Sequence, residues 1–270
     1  MNQKPIGIFD SGLGGLTAAR QFRRLMPSEN IIYFGDTARV PYGNRSRETL
    51  LRYARQDMRF LSQFDLKAVV IACGTISTNC LEELRRESGL PIIGVVEPAV
   101  RRAAELTRSK KIGMVATRAS VGSGAYERAF HEADPDLEVH ALACPLFVPL
   151  VEEGRCRPGD VVIETIAREY LTPLKETGID TLVLGCTHYP LLAEVLGGVM
   201  GPDVALVDVG AEAARACRDL LTQQDARAGD REGAARYYTS DQAADIQRLS
   251  SLFLGEDAAG LVEHIDISKY

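Results

Sequence analysis

Two stretches decide how this sequence folds: Leu66-Lys-Ala-Val-Val-Ile-Ala-Cys73 and Ile179-Asp-Thr-Leu-Val-Leu-Gly-Cys186. Each is a short, nearly continuous apolar run ending in cysteine, which is how a strand buried on both faces of a parallel sheet reads. The pairing recurs around them. Lys4-Pro-Ile-Gly-Ile-Phe-Asp-Ser11 parallels Lys110-Lys-Ile-Gly-Met-Val-Ala-Thr117, and Val95-Val96-Glu97 parallels Leu206-Val207-Asp208. The corresponding segments keep their order and lie about 106 to 113 residues apart, so the chain reads as two halves on one plan.

Working outward, strands are expected at Ile6–Phe9, Ile31–Phe34, Ala68–Ala72 and Ile92–Val96. The second half repeats them at Ile112–Ala116, Glu138–Leu142, Thr181–Gly185 and Ala205–Val207. Helical spacing fills the gaps at Leu16–Leu25, Arg47–Gln63, Leu81–Glu87, Ala99–Leu106, Gly124–Ala133, Gly159–Thr177 and Leu191–Val199. Strands alternating with helices predict an α/β protein: two pseudo-symmetric open parallel-sheet α/β domains facing each other across a cleft. Beyond Val209 come a helix Glu212–Leu221, a polar stretch Thr222–Arg236, a strand Tyr237–Ser240 and a helix Gln242–Leu254. That tail is expected to rejoin the first half, because the second already has its complement. The expected domains are residues 1–97 with 210–270, and residues 98–209.

Composition limits the function classes. With 46% hydrophobic residues in 270, the chain can bury a sizeable core, which excludes disordered and fibrous classes. A net charge of −6 argues against a nucleic-acid partner, and the basic pairs Arg101-Arg102 and Lys110-Lys111 are diluted by acidic neighbours. No apolar run reaches the length of a membrane span. The opening residues enter a strand with no room for a signal peptide, so a cytoplasmic location is expected. Six cysteines without a CxxC pair point to a reducing compartment rather than a disulfide framework.

Parallel sheets bind ligands beyond the carboxyl ends of their strands. The residues there are Asp10 and Ser11, Cys73 to Thr75, Thr117, and Cys186 to His188. Facing halves would put one cysteine on each wall of a shared cleft. A working thiolate needs neighbours that tune its proton affinity. His188 stands two residues after Cys186, and Asp10 reaches Cys73 from the adjacent strand.

Other chemistries compete for these residues. Zinc could use Cys73, Cys186, His188 and Asp10, but the set lacks the close ligand pair usual in such sites, so no metal is expected. A cysteine-phosphatase loop is excluded, because Asn79 and Leu192 stand where its arginine is required. A papain-like pair would leave the second cysteine unexplained. Gly12-Leu-Gly-Gly15 with Asp36 resembles a dinucleotide fingerprint, but Thr17 replaces the third glycine. More simply, the turn brings backbone N–H groups at a helix N-terminus to a carboxylate. Ser11, Thr75, Thr117 and Thr187 add hydroxyls, giving a pocket suited to a small polar anion. Two opposed thiols suit inversion at a carbon, one removing a proton and the other delivering one to the opposite face, without a cofactor. Preorganised donors on the substrate carboxylate would each contribute on the order of 3–4 kcal/mol.

Six motifs carry a resemblance over nearly the whole chain: FDSGLGGLT at Phe9–Thr17, GDTARVPYG at Gly35–Gly43, IACGT at Ile71–Thr75, SGAYE at Ser123–Glu127, LVEEG at Leu150–Gly154 and LGCTHYPLL at Leu184–Leu192. The sequence resembles the cofactor-independent glutamate racemases of bacterial cell-wall synthesis. The resemblance implies that Cys73 and Cys186 are the two acid/bases, Asp10 assisting the first and His188, with Glu152, the second. It implies that Ser11, Thr75, Thr117 and Thr187 hold the amino-acid head group, while Pro41, Tyr42 and Gly43 meet the side-chain carboxylate. His188 favours glutamate over aspartate, where the related racemases usually carry an acid. Family members commonly form homodimers, and some are regulated by cell-wall precursors.

One position departs from the pattern. The family's Cys-Asn-Thr-Ala reads Cys73-Gly74-Thr75-Ile76 here, so the head-group contact of that asparagine is lost at Gly74. A missing hydrogen bond to a charged group costs about 1.5–3 kcal/mol of binding unless it is replaced. A smaller departure is Val209, where a hydroxyl residue is more usual. Three alternatives stay open at this stage: a related racemase with another amino-acid substrate, a catalytically weak small-anion-binding protein, and a nicotinamide-dependent enzyme.

Overall fold

In the computed structural model, which describes residues 1–241, 246–255 and 262–270, strand–helix units follow one another as the periodicity predicts. The first half runs β1 (Ile6–Asp10), α1 (Leu16–Leu25), β2 (Ile31–Gly35), α2 (Arg47–Leu61), β3 (Ala68–Ile71), α3 (Gly74–Asn79), α4 (Leu81–Glu87) and β4 (Ile92–Ile93). The second runs α5 (Val96–Leu106), β5 (Lys111–Ala116), α6 (Arg118–Gly122), α7 (Ala125–Ala133), β6 (Glu138–Ala143), α8 (Phe147–Glu152), α9 (Val161–Glu176), β7 (Thr181–Leu184), α10 (Ala193–Met200) and β8 (Ala205–Asp208). The tail adds α11 (Val209–Gln223), β9 (Ala235–Thr239), α12 (Ile246–Leu254) and β10 (Val262–His264).

The strands form two sheets, ordered β10-β9-β2-β1-β3-β4 and β6-β5-β7-β8, and every pairing is parallel. The order β2-β1-β3-β4 is therefore repeated as β6-β5-β7-β8, with β1 matching β5 and β3 matching β7. In both sheets the strand order reverses beside β1 or β5, which is where open α/β sheets make their ligand crevice. Asp10 ends β1 and Cys73 follows β3, while Thr117 follows β5 and Cys186 follows β7.

Alternation along β1 divides the first half's core. Ile6 and Ile8 pack with α1, whereas Phe9 packs on the other face with Phe34, Leu50 and Phe60. Side chains cap the helices locally. Ser46 accepts from the Thr49 N–H at the start of α2, and Asp208 accepts from the Gly210 and Ala211 N–H groups at the start of α11. α11 then lies against α1 and α5, and β9 extends the first sheet beside β2. No helix among the described residues is long and apolar enough to cross a membrane.

The differences from expectation are local. The strand expected at Ile92–Val96 stops at Ile93, and Val96 already opens α5, whose buried Val96, Ala99, Val100 and Ala103 follow helical spacing. A run of buried β-branched residues reads alike in either state. α3, α6 and α8 are short helices the periodicity does not reveal. Leu191 and Leu192 belong to a 3-10 turn, Tyr189–Leu192, ahead of α10. The helix expected at Gln242–Leu254 is helical over 246–254; residues 242–245 lie outside the described residues.

Candidate active site

A cavity of about 370 Å³ opens among the strand ends of both sheets, within the usual range for small-molecule sites. Every residue the sequence singled out lies on its wall: Asp10, Ser11, the loop Pro41–Gly43, Cys73 to Thr75, Thr117, Glu152, and Cys186 to His188. Three loops of the first sheet, after β1, β2 and β3, two of the second, after β5 and β7, and the end of α8 bring them together.

Cys73 stands at the N-terminus of α3, where the first-turn Ile76 N–H faces its sulfur. The thiol is buried, and burial holds its pKa well above the ordinary value. The neighbouring Asp10 charge pushes the same way, against the Ile76 N–H and the Ser11 side chain and backbone. Cys73 is therefore a protonated thiol at neutral pH. Burial also raises the Asp10 pKa, opposed by His188 and by N–H groups of Gly15 and Ser11. The Gly15 N–H donates to Asp10 Oδ2 at 2.6 Å. The glycine turn thus does bring a helix N-terminus to a carboxylate, and the carboxylate is the chain's own.

The second cysteine has a cationic setting. Cys186 Sγ lies 3.9 Å from His188 Nδ1, and His188 Nε2 lies 3.1 Å from Glu152 Oε1. Burial works against a charged ring, but contact with Cys186 and Glu152 outweighs it and lifts the His188 pKa to about 10. The ring is an imidazolium at neutral pH, the partner a thiolate requires. Phe253 of α12 packs edge-on against it, with ring centroids 5.1 Å apart.

Hydroxyls link the two loops. Thr75 Oγ1 lies 3.1 Å from Thr117 Oγ1, and Thr117 Oγ1 is 3.1 Å from Ser120 Oγ. Thr187 Oγ1 donates to Asp10 Oδ2 at 3.3 Å, while Thr17 Oγ1 donates to the Thr187 carbonyl at 2.7 Å. The Tyr42 hydroxyl is committed elsewhere, donating to Asp36, so the Pro41–Gly43 loop has only backbone N–H groups left to offer an anion.

The competing chemistries fit poorly. Asp36 is fully buried, paired with Arg39 and accepting from Ser240 Oγ at 2.7 Å, so it is not available to a ribose. Among the described residues, no group of three or more His, Cys, Asp or Glu side chains is placed to hold a metal ion. Sequence reasoning passed over several wall residues. Arg118 follows Thr117 directly and, among the described residues, is the one arginine or lysine on the cavity wall, a signal that could have been read. Val148 and Pro149 of α8 take their places only through tertiary packing, while Gly185 comes with its neighbour Cys186.

Comparison with known proteins agrees with this geometry. Residues 17–217 match the Asp/Glu/hydantoin racemase family. A glutamate racemase of Geobacter metallireducens is 46% identical over 94% of both chains. One from Streptococcus gordonii is 41% identical over 99% of this chain and 100% of its own. Among solved structures, a Bacillus anthracis glutamate racemase superposes with a TM-score of 0.93 at 36% identity, covering 98% of each chain. The Francisella tularensis glutamate racemase, solved with D-glutamate, gives 0.91 at 34% identity over the whole of both chains. With two matching parallel sheets, a shared cavity at their strand ends and likeness along its whole length, the chain belongs to the Asp/Glu/hydantoin racemase family.

Proposed function

We propose that this protein interconverts L- and D-glutamate by a cofactor-free two-thiol mechanism, supplying D-glutamate for peptidoglycan. One observation carries the reading: a cysteine from the matching strand end of each sheet lines the same cavity, each with its own proton partner. The glutamate racemases it resembles fix the substrate class.

In one direction Cys186, as a thiolate beside cationic His188, takes the Cα proton. The C–H electron pair moves into the Cα–carboxylate system. The Cys73 thiol then gives its proton to the opposite face, leaving a thiol at 186 and a thiolate at 73. The reverse reaction exchanges these roles, with Asp10 serving Cys73, and His188 and Glu152 serving Cys186. Ser11, Thr75, Thr117 and Thr187 hold the head group. The Pro41–Gly43 loop, through the N–H groups of Tyr42 and Gly43, meets the side-chain carboxylate, and Gly74 lies beside Cys73 on the same wall.

The same reading includes domains of residues 1–97 with 210–270 and of 98–209, a cytoplasmic location and a homodimer, the last checked by sedimentation. The decisive experiment follows the Cα proton of L-glutamate by NMR in D₂O, without cofactor, alongside chiral analysis of the product. Loss of the signal with appearance of D-glutamate is expected. Tight binding with neither exchange nor D-product overturns the reading, and turnover of aspartate or a neutral amino acid instead would reassign the substrate.

A further inference from the structure

A Cβ built on Gly74 would lie 2.5 Å from the backbone carbonyl oxygen of Gly185. The two residues sit directly against the reacting thiols: Gly74 follows Cys73, and Gly185 precedes Cys186. Here the first half touches the second backbone to backbone, about 1 Å closer than a side chain in ordinary van der Waals contact would allow.

Neither side can easily give way. The Gly185 N–H donates to the Val115 carbonyl at 2.8 Å, which pins that segment to the sheet. On the other side, the Cys73 carbonyl accepts from Ser77 N–H at 2.9 Å, and Ser77 Oγ donates to the Ile71 carbonyl at 3.0 Å. The neighbouring seam is built the same way. Gly14 faces the His188 ring and Thr187 with no room for a side chain, and Thr17 ties its helix to the Thr187 carbonyl.

We infer that Gly74 is a positioning residue: its missing side chain sets the separation of the two thiols by letting the Cys73 helix end abut the Cys186 strand end. This inference rests on the racemase reading above. It also reverses the expectation from sequence, under which Gly74 is merely a lost donor that asparagine would restore. A side chain at this position is a wedge. Displacements near 1 Å in a reacting geometry cost about 10²-fold in rate.

The test compares Gly74→Ala and Gly74→Asn with wild type, and with Gly198→Ala as control, a helical glycine that has open space around it. Alanine is the better helix former, so Gly74→Ala should keep its helix and the native fold, with a modestly lower Tm from crowding against the Gly185 carbonyl. Racemisation by Gly74→Ala should fall at least about tenfold, and by Gly74→Asn about 10²-fold, mainly in kcat. The specific signature is Cα exchange in D₂O. With the thiols moved apart, one still reaches Cα while the other does not, so exchange events per inversion should rise. Gly198→Ala should match wild type. Wild-type or better rates for either Gly74 variant, or exchange and inversion falling in equal proportion, would overturn the inference. Crystal structures of wild type and Gly74→Ala give a readout free of activity. An unchanged Cys73–Cys186 separation sinks the spacer role even in an active enzyme, whereas an inactive wild type with a widened variant sinks only the racemase reading.

Discussion

Cys73 and Cys186 follow equivalent strands in two sheets of the same order, yet their surroundings carry opposite charge. Cys73 lies beside the Asp10 carboxylate, Cys186 beside an imidazolium. Aligning the halves shows how this arises. Ala116 stands in the second half where Asp10 stands in the first, and Thr75 stands in the first where His188 stands in the second. The repeated scaffold reproduces the places of the two cysteines but not the ionisable groups beside them. Each cysteine instead has a different neighbour: a carboxylate from the adjacent strand on one side, and a histidine tethered to Glu152 of α8 on the other.

Removing either thiol tests that comparison hardest. Cys73→Ser and Cys186→Ser should each lower racemisation by about 10³-fold or more, while Cα exchange persists with the one enantiomer that the remaining thiol can deprotonate. A variant in which both enantiomers keep exchanging at equal rates would break the assignment of one thiol to each face.

Next come the partners. Asp10→Asn and His188→Asn should each cost about 10²-fold. The enantiomers have equal free energy, so kcat/KM must fall equally in both directions for any variant. The asymmetry must therefore show in kcat, which should drop more in the direction where the affected thiol acts as base. Identical kcat losses in both directions for both variants would mean that the partners are not divided as drawn.

Titration separates the two sites further. The His188 pKa lies above its ordinary value, so its charge is present at neutral pH and is lost only as pH rises through about 10. Activity should decline there. Glu152→Gln removes one of the groups that raise this pKa, so the alkaline limb should move to lower pH while the neutral-pH rate changes less. A limb that stays in place in Glu152→Gln would assign it to another group. The smallest effect is expected at the exposed mouth: Arg118→Ala should raise KM by a few-fold, with a weaker dependence on ionic strength than wild type and little change in kcat.

Much of the scaffold was legible because buried parallel strands and amphipathic helices leave strong local signals. Leu16–Leu25 and Leu81–Glu87 begin and end as their spacing predicts, and the paired strands fall into matching places in both sheets. α3 was not legible. Its sequence, Gly-Thr-Ile-Ser-Thr-Asn, is a poor helix former, held by Thr78 and Asn79 side chains bonding back to Gly74 and Thr75 carbonyls. The candidate site residues could be named from strand ends and motifs. The engagement of the Tyr42 hydroxyl with Asp36, the contact of Gly74 with Gly185 and the packing of Phe253 on His188 could not. The last two depend on distant segments meeting in space, which no local window records; the first depends on the turns between Asp36 and Tyr42, which the motif does not specify.

The last strands and helix have a consequence for how the protein is made. β9 covers the edge of β2, Ser240 braces Asp36 beneath the Pro41–Gly43 loop, Phe253 packs on His188 and Arg248 donates to the Glu152 carbonyl. All of these groups leave the ribosome after both cysteines have been synthesised. The nascent chain therefore carries Cys73 and Cys186 with an open sheet edge and an unbraced His188 until the tail docks. Synthesis interrupted after residue 234 would leave both cysteines on a scaffold that lacks β9, Ser240 and Phe253.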